Sequence, residues 1–126
     1  MKSVIKNIFL FIIICSSFNV YPANWVKAVN GKEVIYVDID SIRKTNSLVF
    51  YSSLANMASM GLNSLIIKHK ADCLKKKVTQ LNITYYGQTM GRGISYKEEN
   101  TKGEGIYPKP HTTQYILMKF VCDHVQ

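Results

Sequence analysis

Short stretches of alternating apolar and polar residues run along most of the chain, and turn-forming residues separate them. Such alternation is typical of strands that bury one face. The stretches predict strands at residues 24–29, 33–38, 48–57, 62–75 and 78–86, with residues 94–98 as a sixth. Asn30 and Gly31 give a hairpin signal after the first strand, and residues 44–47 predict a turn before the third. We therefore expect an antiparallel sheet of five to six strands.

The fourth predicted strand indicates which side of the sheet is buried. One face carries Leu65, Ile67, His69, Ala71 and Cys73, whereas the opposite face carries Lys68, Lys70 and Asp72. Because successive side chains of a strand point to opposite faces, we expect the first set in the core and the second set in solvent. This places Cys73 on the buried side, where it can bond to an element that covers the sheet.

The C-terminal segment, residues 112–122, is ambiguous by period, and we interpret it as a helix rather than a strand. At helical spacing its apolar stripe consists of Leu117, Met118, Val121 and Cys122. Read as a strand, the segment alternates poorly, because apolar residues fall on both faces. Thr112 or Thr113 is suited to cap the start of the helix. Since a short helix this apolar must be covered on most sides, we expect it to lie across one face of the sheet, which makes the fold α+β.

The first 23 residues have the layout of a secretion signal. Two lysines precede a seven-residue apolar run at residues 8–14, and small polar residues follow. The run is too short to cross a membrane, which takes about 20 apolar residues. Cys15 lacks the small preceding residue of a lipoprotein signal, so we expect no lipid anchor. We expect cleavage after Ser17, which fits the small-residue preference better locally, or after Ala23. With Ala23 as the cut, residues 24–126 form a single exported domain.

The chain is basic, with a formal net charge of +8 that becomes +6 once Lys2 and Lys6 leave with the signal. A basic surface favours acidic partners such as polyanions, anionic lipid surfaces or acidic patches on proteins. Export argues against nucleic acid as the biological target. Charge alone does not choose among the remaining partners.

Export also bears on the state of the cysteines. Cys15 leaves with the signal, and Cys73 and Cys122 remain as a pair in an oxidising compartment. The only intramolecular bridge open to them joins one to the other, and closing that loop should stabilise the fold by about 4 kcal/mol. Two free thiols or an intermolecular bond are the alternatives.

Nothing in the sequence points to catalytic chemistry. The three histidines do not lie at a metal-ligand spacing from other His, Cys, Asp or Glu residues. No serine has the surroundings of a nucleophile elbow. His69 is expected at the edge of the core. We therefore expect no catalytic residue, no metal and no cofactor.

A binding surface is the better-supported kind of site. Five lysines fall within ten residues, and these candidate partner-binding residues are Lys68, Lys70, Lys75, Lys76 and Lys77. They either form a solvated edge that discourages strand pairing with neighbours, or bind an acidic protein or polysaccharide. The tyrosines expected to be exposed, and therefore suited to a recognition surface, are Tyr51, Tyr86, Tyr96 and Tyr107.

A set of short fragments, in order across nearly all of the expected mature chain, carries a family resemblance. The fragments are Asn24-Trp25-Val26, Tyr36-Val37-Asp38 with Ser41-Ile42, Ser64 leading through Lys68 to Asp72-Cys73, Tyr85-Tyr86 with Met90-Gly91-Arg92-Gly93, and Val121-Cys122. The ordered set resembles the surface-adhesin protein E family of small exported bacterial domains. Mature chains of that family begin close to the tryptophan, which favours cleavage after Ala23.

The resemblance implies a curved antiparallel sheet with a C-terminal helix on its concave side, joined to the sheet by the two cysteines. It also implies a non-enzymatic binding role, since the namesake members bind host matrix and serum proteins at the cell surface. Two features depart from the family pattern. Residues 106–112 match it only loosely, and the lipid anchor of the namesake has no counterpart in this chain.

The sequence therefore predicts an exported binding protein that engages host or envelope proteins or polyanions through a basic sheet surface. The alternative is a periplasmic inhibitor or immunity-type protein, in which residues 100–105 would protrude as a loop toward the partner. Both the periplasm and the cell surface, and both a monomer and a homodimer, are compatible with the sequence.

Overall fold

The computed structural model describes residues 22–57, 63–101 and 103–125. Within them seven strands form a single sheet, and one α-helix follows near the C-terminus. The elements are β1 (Trp25–Asn30), β2 (Val34–Asp38), β3 (Arg43–Thr45), β4 (Leu48–Met57), β5 (Asn63–Asp72), β6 (Lys77–Tyr86), β7 (Ser95–Asn100) and α1 (Thr113–His124). Single 3-10 turns lie at Ile39–Ser41 and Thr89–Gly91.

All paired strands are antiparallel, and the main order across the sheet is β1-β2-β4-β5-β6-β7. The short strand β3 also pairs with β4, through Arg43 opposite Phe50 and Thr45 opposite Leu48. Since β5 occupies one edge of β4 along its whole length, β2 and β3 share the other edge. The sheet is therefore open, with β1 and β7 as its outer strands.

The predicted α+β fold is confirmed, and most elements lie where the alternation placed them. The sheet has one strand more than expected, because β3 occupies part of the segment that was predicted as a turn. All three residues of β3 are exposed, so the strand has no buried face to produce an apolar period. The turn that follows it is centred on Asn46, which adopts a left-handed φ of 56°.

The core lies between α1 and one face of the sheet, where the helix contacts β1 and β4. Its buried residues are Val29, Val37, Val49, Tyr51, Ala71, Val78, Leu117, Met118 and Val121. The helical stripe predicted from the sequence supplies the last three. Thr112 caps α1, since its Oγ1 accepts a hydrogen bond from the backbone N–H of Tyr115 at 3.3 Å.

A disulfide between Cys73 and Cys122 joins the end of β5 to the last turns of α1. The two Cα atoms are 5.9 Å apart, and the residues are 49 positions apart in sequence. The predicted intramolecular bridge is therefore confirmed, and it fixes the helix to the sheet at the end of β5 that leads into the β5–β6 turn.

The opposite face of the sheet is covered at one end by the loop between β6 and β7. Ser64 Oγ donates to the carbonyl of Gln88 at 2.6 Å and accepts from the N–H of Gly91 at 2.8 Å. Asn56 Oδ1 accepts from the N–H of Met90 at 2.8 Å. These bonds hold the loop against Leu54, which is fully buried although it points away from α1.

Candidate binding surface

The β5–β6 hairpin brings most of the predicted lysines to one face of the sheet. Lys70 pairs with Thr79, and Asp72 pairs with Lys77. Their chain neighbours Ala71 and Val78 are buried in the core. Because side chains alternate along a strand, the lysines of the hairpin point away from α1. Lys68 and Lys70 therefore lie on the face that the sequence predicted for them.

The turn of this hairpin is ordered by Asp72. Its Oδ1 accepts hydrogen bonds from the backbone N–H groups of Leu74 and Lys75, both at 3.1 Å. Lys76 then takes a left-handed φ of 57°, which lets the chain reverse into β6. The side chain of an acidic residue within the lysine cluster is therefore engaged in holding the backbone.

A shallow cavity of about 170 Å³ lies at this end of the face. It is lined by Leu48, Lys70, Asp72, Lys75, Lys77 and Thr79. Three of the five candidate lysines therefore meet at one place. Lys68 lies further along β5 and is exposed, while Lys76 is exposed at the turn and does not line the cavity.

The cluster carries uncompensated positive charge. In the part of the chain that the structure describes, the single salt bridge joins Lys97 to Glu99 at 2.9 Å, on a different part of the sheet. None of the five candidate lysines thus has a described carboxylate within salt-bridge distance. The lysine side chains of this hairpin are therefore not held in ion pairs with described carboxylates.

The segment after β7 runs beside Lys77 and Thr79, two of the residues that line the cavity. Ile106 exchanges two backbone hydrogen bonds of 2.8 Å with Val78, which extends the pairing along β6. The next residue, Tyr107, has its ring centroid 5.9 Å from Lys77 Nζ and is largely exposed. A Cβ at Gly105 would lie 2.9 Å from Thr79 Oγ1, so only glycine permits this approach. The sequence predicted the exposure of Tyr107 but gave no signal for its position beside Lys77.

The remaining polar group of interest lies inside the core rather than on the surface. His69 Nε2 is 2.8 Å from Ser53 Oγ, and its ring stacks on Tyr51 with centroids 4.8 Å apart. Burial lowers the pKa of His69 to about 4 and raises the pKa of Tyr51. His69 is therefore neutral at pH 7 and is buried beside Tyr51. The expectation that Tyr51 is exposed was wrong, because it lies under α1 on the buried face.

This arrangement defines a class of protein. It is a small α+β domain in which one disulfide ties a helix to one face of an open antiparallel sheet. Among residues 22–57, 63–101 and 103–125, no group of His, Cys, Asp and Glu side chains is placed to hold a metal ion. In the same residues no helix is long and apolar enough to cross a membrane.

The chain belongs to the surface-adhesin protein E family, which matches it over residues 25–123. The family resemblance read from the sequence fragments is therefore confirmed. No curated protein sequence matches the chain. Family membership supports an adhesin-like role and a surface or exported location.

Solved structures show the same fold. Protein E from non-typeable Haemophilus influenzae superposes with a TM-score of 0.66 at 18% identity, over 84% of this chain and 80% of that one. A second crystal form of Haemophilus influenzae protein E gives a TM-score of 0.64 at 18% identity, over 83% of this chain and 91% of that one. At this identity the likeness establishes the fold, whereas the binding surface must be argued from the residues of this chain.

Proposed function

We propose that this protein is an exported, non-enzymatic adhesin that binds host or envelope proteins or polyanions through the lysines of the β5–β6 hairpin. The binding residues are Lys68, Lys70, Lys75, Lys76 and Lys77, together called the lysine patch below. The observation that carries this proposal is the concentration of unpaired positive charge on a sheet face that α1 leaves open. Membership of the surface-adhesin protein E family also supports a role in adhesion.

The position of the lysine patch favours binding over a structural role. Lys68, Lys75 and Lys76 are exposed, and Lys70 and Lys77 are partly exposed. The neighbouring core residues Ala71 and Val78 point to the opposite face, so the lysine side chains contribute little to the burial that stabilises the fold.

A catalytic role finds less support. The buried Ser53 and His69 form the pairing that most resembles a nucleophile and its base, but His69 is only 1% exposed and its Nδ1 has no described partner to orient the ring. The near-complete burial of both side chains leaves little of the pair exposed to a substrate.

The alternative role as an inhibitor would require residues 100–105 to project from the domain. Thr101 donates its backbone N–H to the carbonyl of Leu81 at 3.2 Å and its hydroxyl to the carbonyl of Gln80 at 2.7 Å. Ile106 pairs with Val78 at the other end of the segment. The segment is thus anchored along β6 at both ends, which favours the adhesin over the inhibitor.

The experiment compares two variants of the secreted protein for binding to immobilised host matrix and serum proteins. In the first variant all five lysines of the lysine patch become Gln. The matched control replaces five exposed lysines elsewhere with Gln and so carries the same net charge: Lys27, Lys32, Lys44, Lys109 and Lys119. We expect the patch variant to lose binding that the control retains. Equal loss in both variants would show that overall charge, rather than the lysine patch, determines binding.

A further inference from the structure

We propose that the cavity in the lysine patch binds a sulfate-ester group of a sulfated polysaccharide chain. This inference rests on the proposed function and names the chemistry of its ligand. The cavity is formed by the β5–β6 hairpin together with Leu48 at the start of β4, and three lysines share its lining with Thr79. Tyr107 lies beside Lys77 at this site.

The size of the cavity limits what it can hold. Pockets that enclose a whole small ligand usually measure about 300–1,000 Å³. This one measures about 170 Å³. It therefore accommodates one functional group that projects from a larger ligand, rather than a free metabolite.

The chemistry of the lining selects an oxyanion. Lys70, Lys75 and Lys77 bring three ammonium groups, against the single carboxylate of Asp72. One oxygen of that carboxylate accepts the N–H groups of Leu74 and Lys75, which reduces its capacity to pair with the lysines. Ammonium groups act as point charges with several rotatable donors, so three of them surround a tetrahedral anion from several sides. The hydroxyl of Thr79, which has no hydrogen-bond partner among the described residues, adds a neutral donor.

The surroundings of the cavity suit a linear chain of sugars. Lys68 lies two residues before Lys70 on the same face, about 7 Å away along β5, so the positive charge continues as a row. The exposed ring of Tyr107 and the side chain of Leu48 provide apolar surface at the margins of the cavity. A chain with regularly spaced sulfates can follow this row and place one sulfate in the cavity, whereas a bilayer presents its charges in a plane.

The test uses the mature secreted protein with heparin, chemically desulfated heparin, hyaluronan and vesicles containing phosphatidylserine as probes. Desulfated heparin and hyaluronan retain carboxylates without sulfate esters. The cavity variant combines Lys70→Gln, Lys75→Gln and Lys77→Gln, and the matched control combines Lys27→Gln, Lys32→Gln and Lys119→Gln. Thermal unfolding of both variants establishes that they are folded.

We expect heparin to bind the wild type and the control alike, and the cavity variant to bind it about tenfold or more weakly, since three ion pairs are lost. Both sulfate-free polysaccharides should bind poorly to all three proteins. Equal binding of heparin and its desulfated form, equal weakening in both variants, or vesicle binding that exceeds heparin binding would overturn the sulfate site. If these results occur while matrix proteins still require the lysine patch, the proposed function stands without it.

Discussion

His69 is an ionisable residue whose side chain is almost completely buried. It is 1% exposed, its Nε2 lies 2.8 Å from Ser53 Oγ, and its Nδ1 has no described partner. Stacking on Tyr51 shields the ring further, so protonation would place an unpaired positive charge in the core. The protein therefore carries a histidine whose neutral form is required by the fold.

This burial predicts acid-sensitive stability. The pKa of His69 falls to about 4 in the folded protein, against 6.5 for an ordinary histidine, so its stabilising contribution is complete above pH 6.5 and is lost as the pH falls toward 4. Between pH 7 and pH 5 the free energy of unfolding should drop by about 2 kcal/mol from this residue alone. Denaturant titration of the wild type and of His69→Gln measures the drop.

The control for this titration is the double variant His111→Gln and His124→Gln, because both residues are exposed. It should keep the pH dependence of the wild type, whereas His69→Gln should lose most of it. An unchanged slope in His69→Gln would mean that carboxylates, not His69, govern acid stability in this range.

A side chain at Gly91 should destabilise the folded protein. Gly91 has a φ of 68°, and a Cβ there would lie 2.9 Å from Ile66 Cδ1. Gly91→Ala should therefore lower the free energy of unfolding by about 1–3 kcal/mol through backbone strain and overpacking. Gly31→Ala is the control, since nothing lies within 4 Å of a Cβ at that position. Equal stability of the two variants would show that the loop can shift to accept a side chain.

At the scale of elements, the sequence predicted those that bury an apolar face and also the exposed strand β7, but it missed the short strand β3 and the pairing beyond β7. The alternation in β4 and the apolar stripe of α1 follow from burial on the two sides of one core, so both were predictable. β3 and the pairing of Ile106 with Val78 were missed, because backbone hydrogen bonds at a sheet edge leave no period in the sequence. The cavity was missed for a related reason: it depends on which residues the strand register places opposite one another.

Among the contacts between elements, the disulfide is the one that we expect to contribute most to the free energy of unfolding. It closes a loop between positions 49 apart and ties α1 to β5. The double variant Cys73→Ala and Cys122→Ala should lower the free energy of unfolding by about 4 kcal/mol, since the unfolded chain gains freedom. Denaturant unfolding checks this value. The intact mass of the unreduced wild-type protein after exposure to an alkylating reagent should show no alkylated thiol, and two alkylated thiols would refute the bridge.

At the scale of the whole molecule, we propose that the two faces of the sheet divide stability from recognition. One face packs against α1 and holds the core, while the other presents the lysine patch at the end of the β5–β6 hairpin. The face assignment was predictable, because residues 65–73 alternate cleanly. The proximity of Tyr107 to Lys70, Lys75 and Lys77 could not be predicted from the sequence, because these residues come from distant segments.

Removal of a secretion signal would determine the N-terminus, and hence the mass, of the mature protein. From the apolar run at residues 8–14 and the surroundings of Cys15 we predict a signal that is removed without lipid attachment. Protein purified from the native envelope should therefore begin at Asn24 and carry no diacylglycerol. Intact-mass spectrometry decides this, and a lipid-modified N-terminus at Cys15 would place the protein on a membrane instead.

The central claim is that the lysine patch serves binding and not folding. It is tested most directly by measuring affinity for an immobilised matrix protein, at low and at physiological salt, for the wild type and for the variant with Gln at all five lysines. Thermal unfolding is recorded on the same samples. We expect the wild-type affinity to fall as salt screens the charges, and the variant to bind weakly at both salt concentrations with a nearly unchanged melting temperature. Equal affinity of the two proteins at low salt would contradict the claim, as would unfolding of the variant.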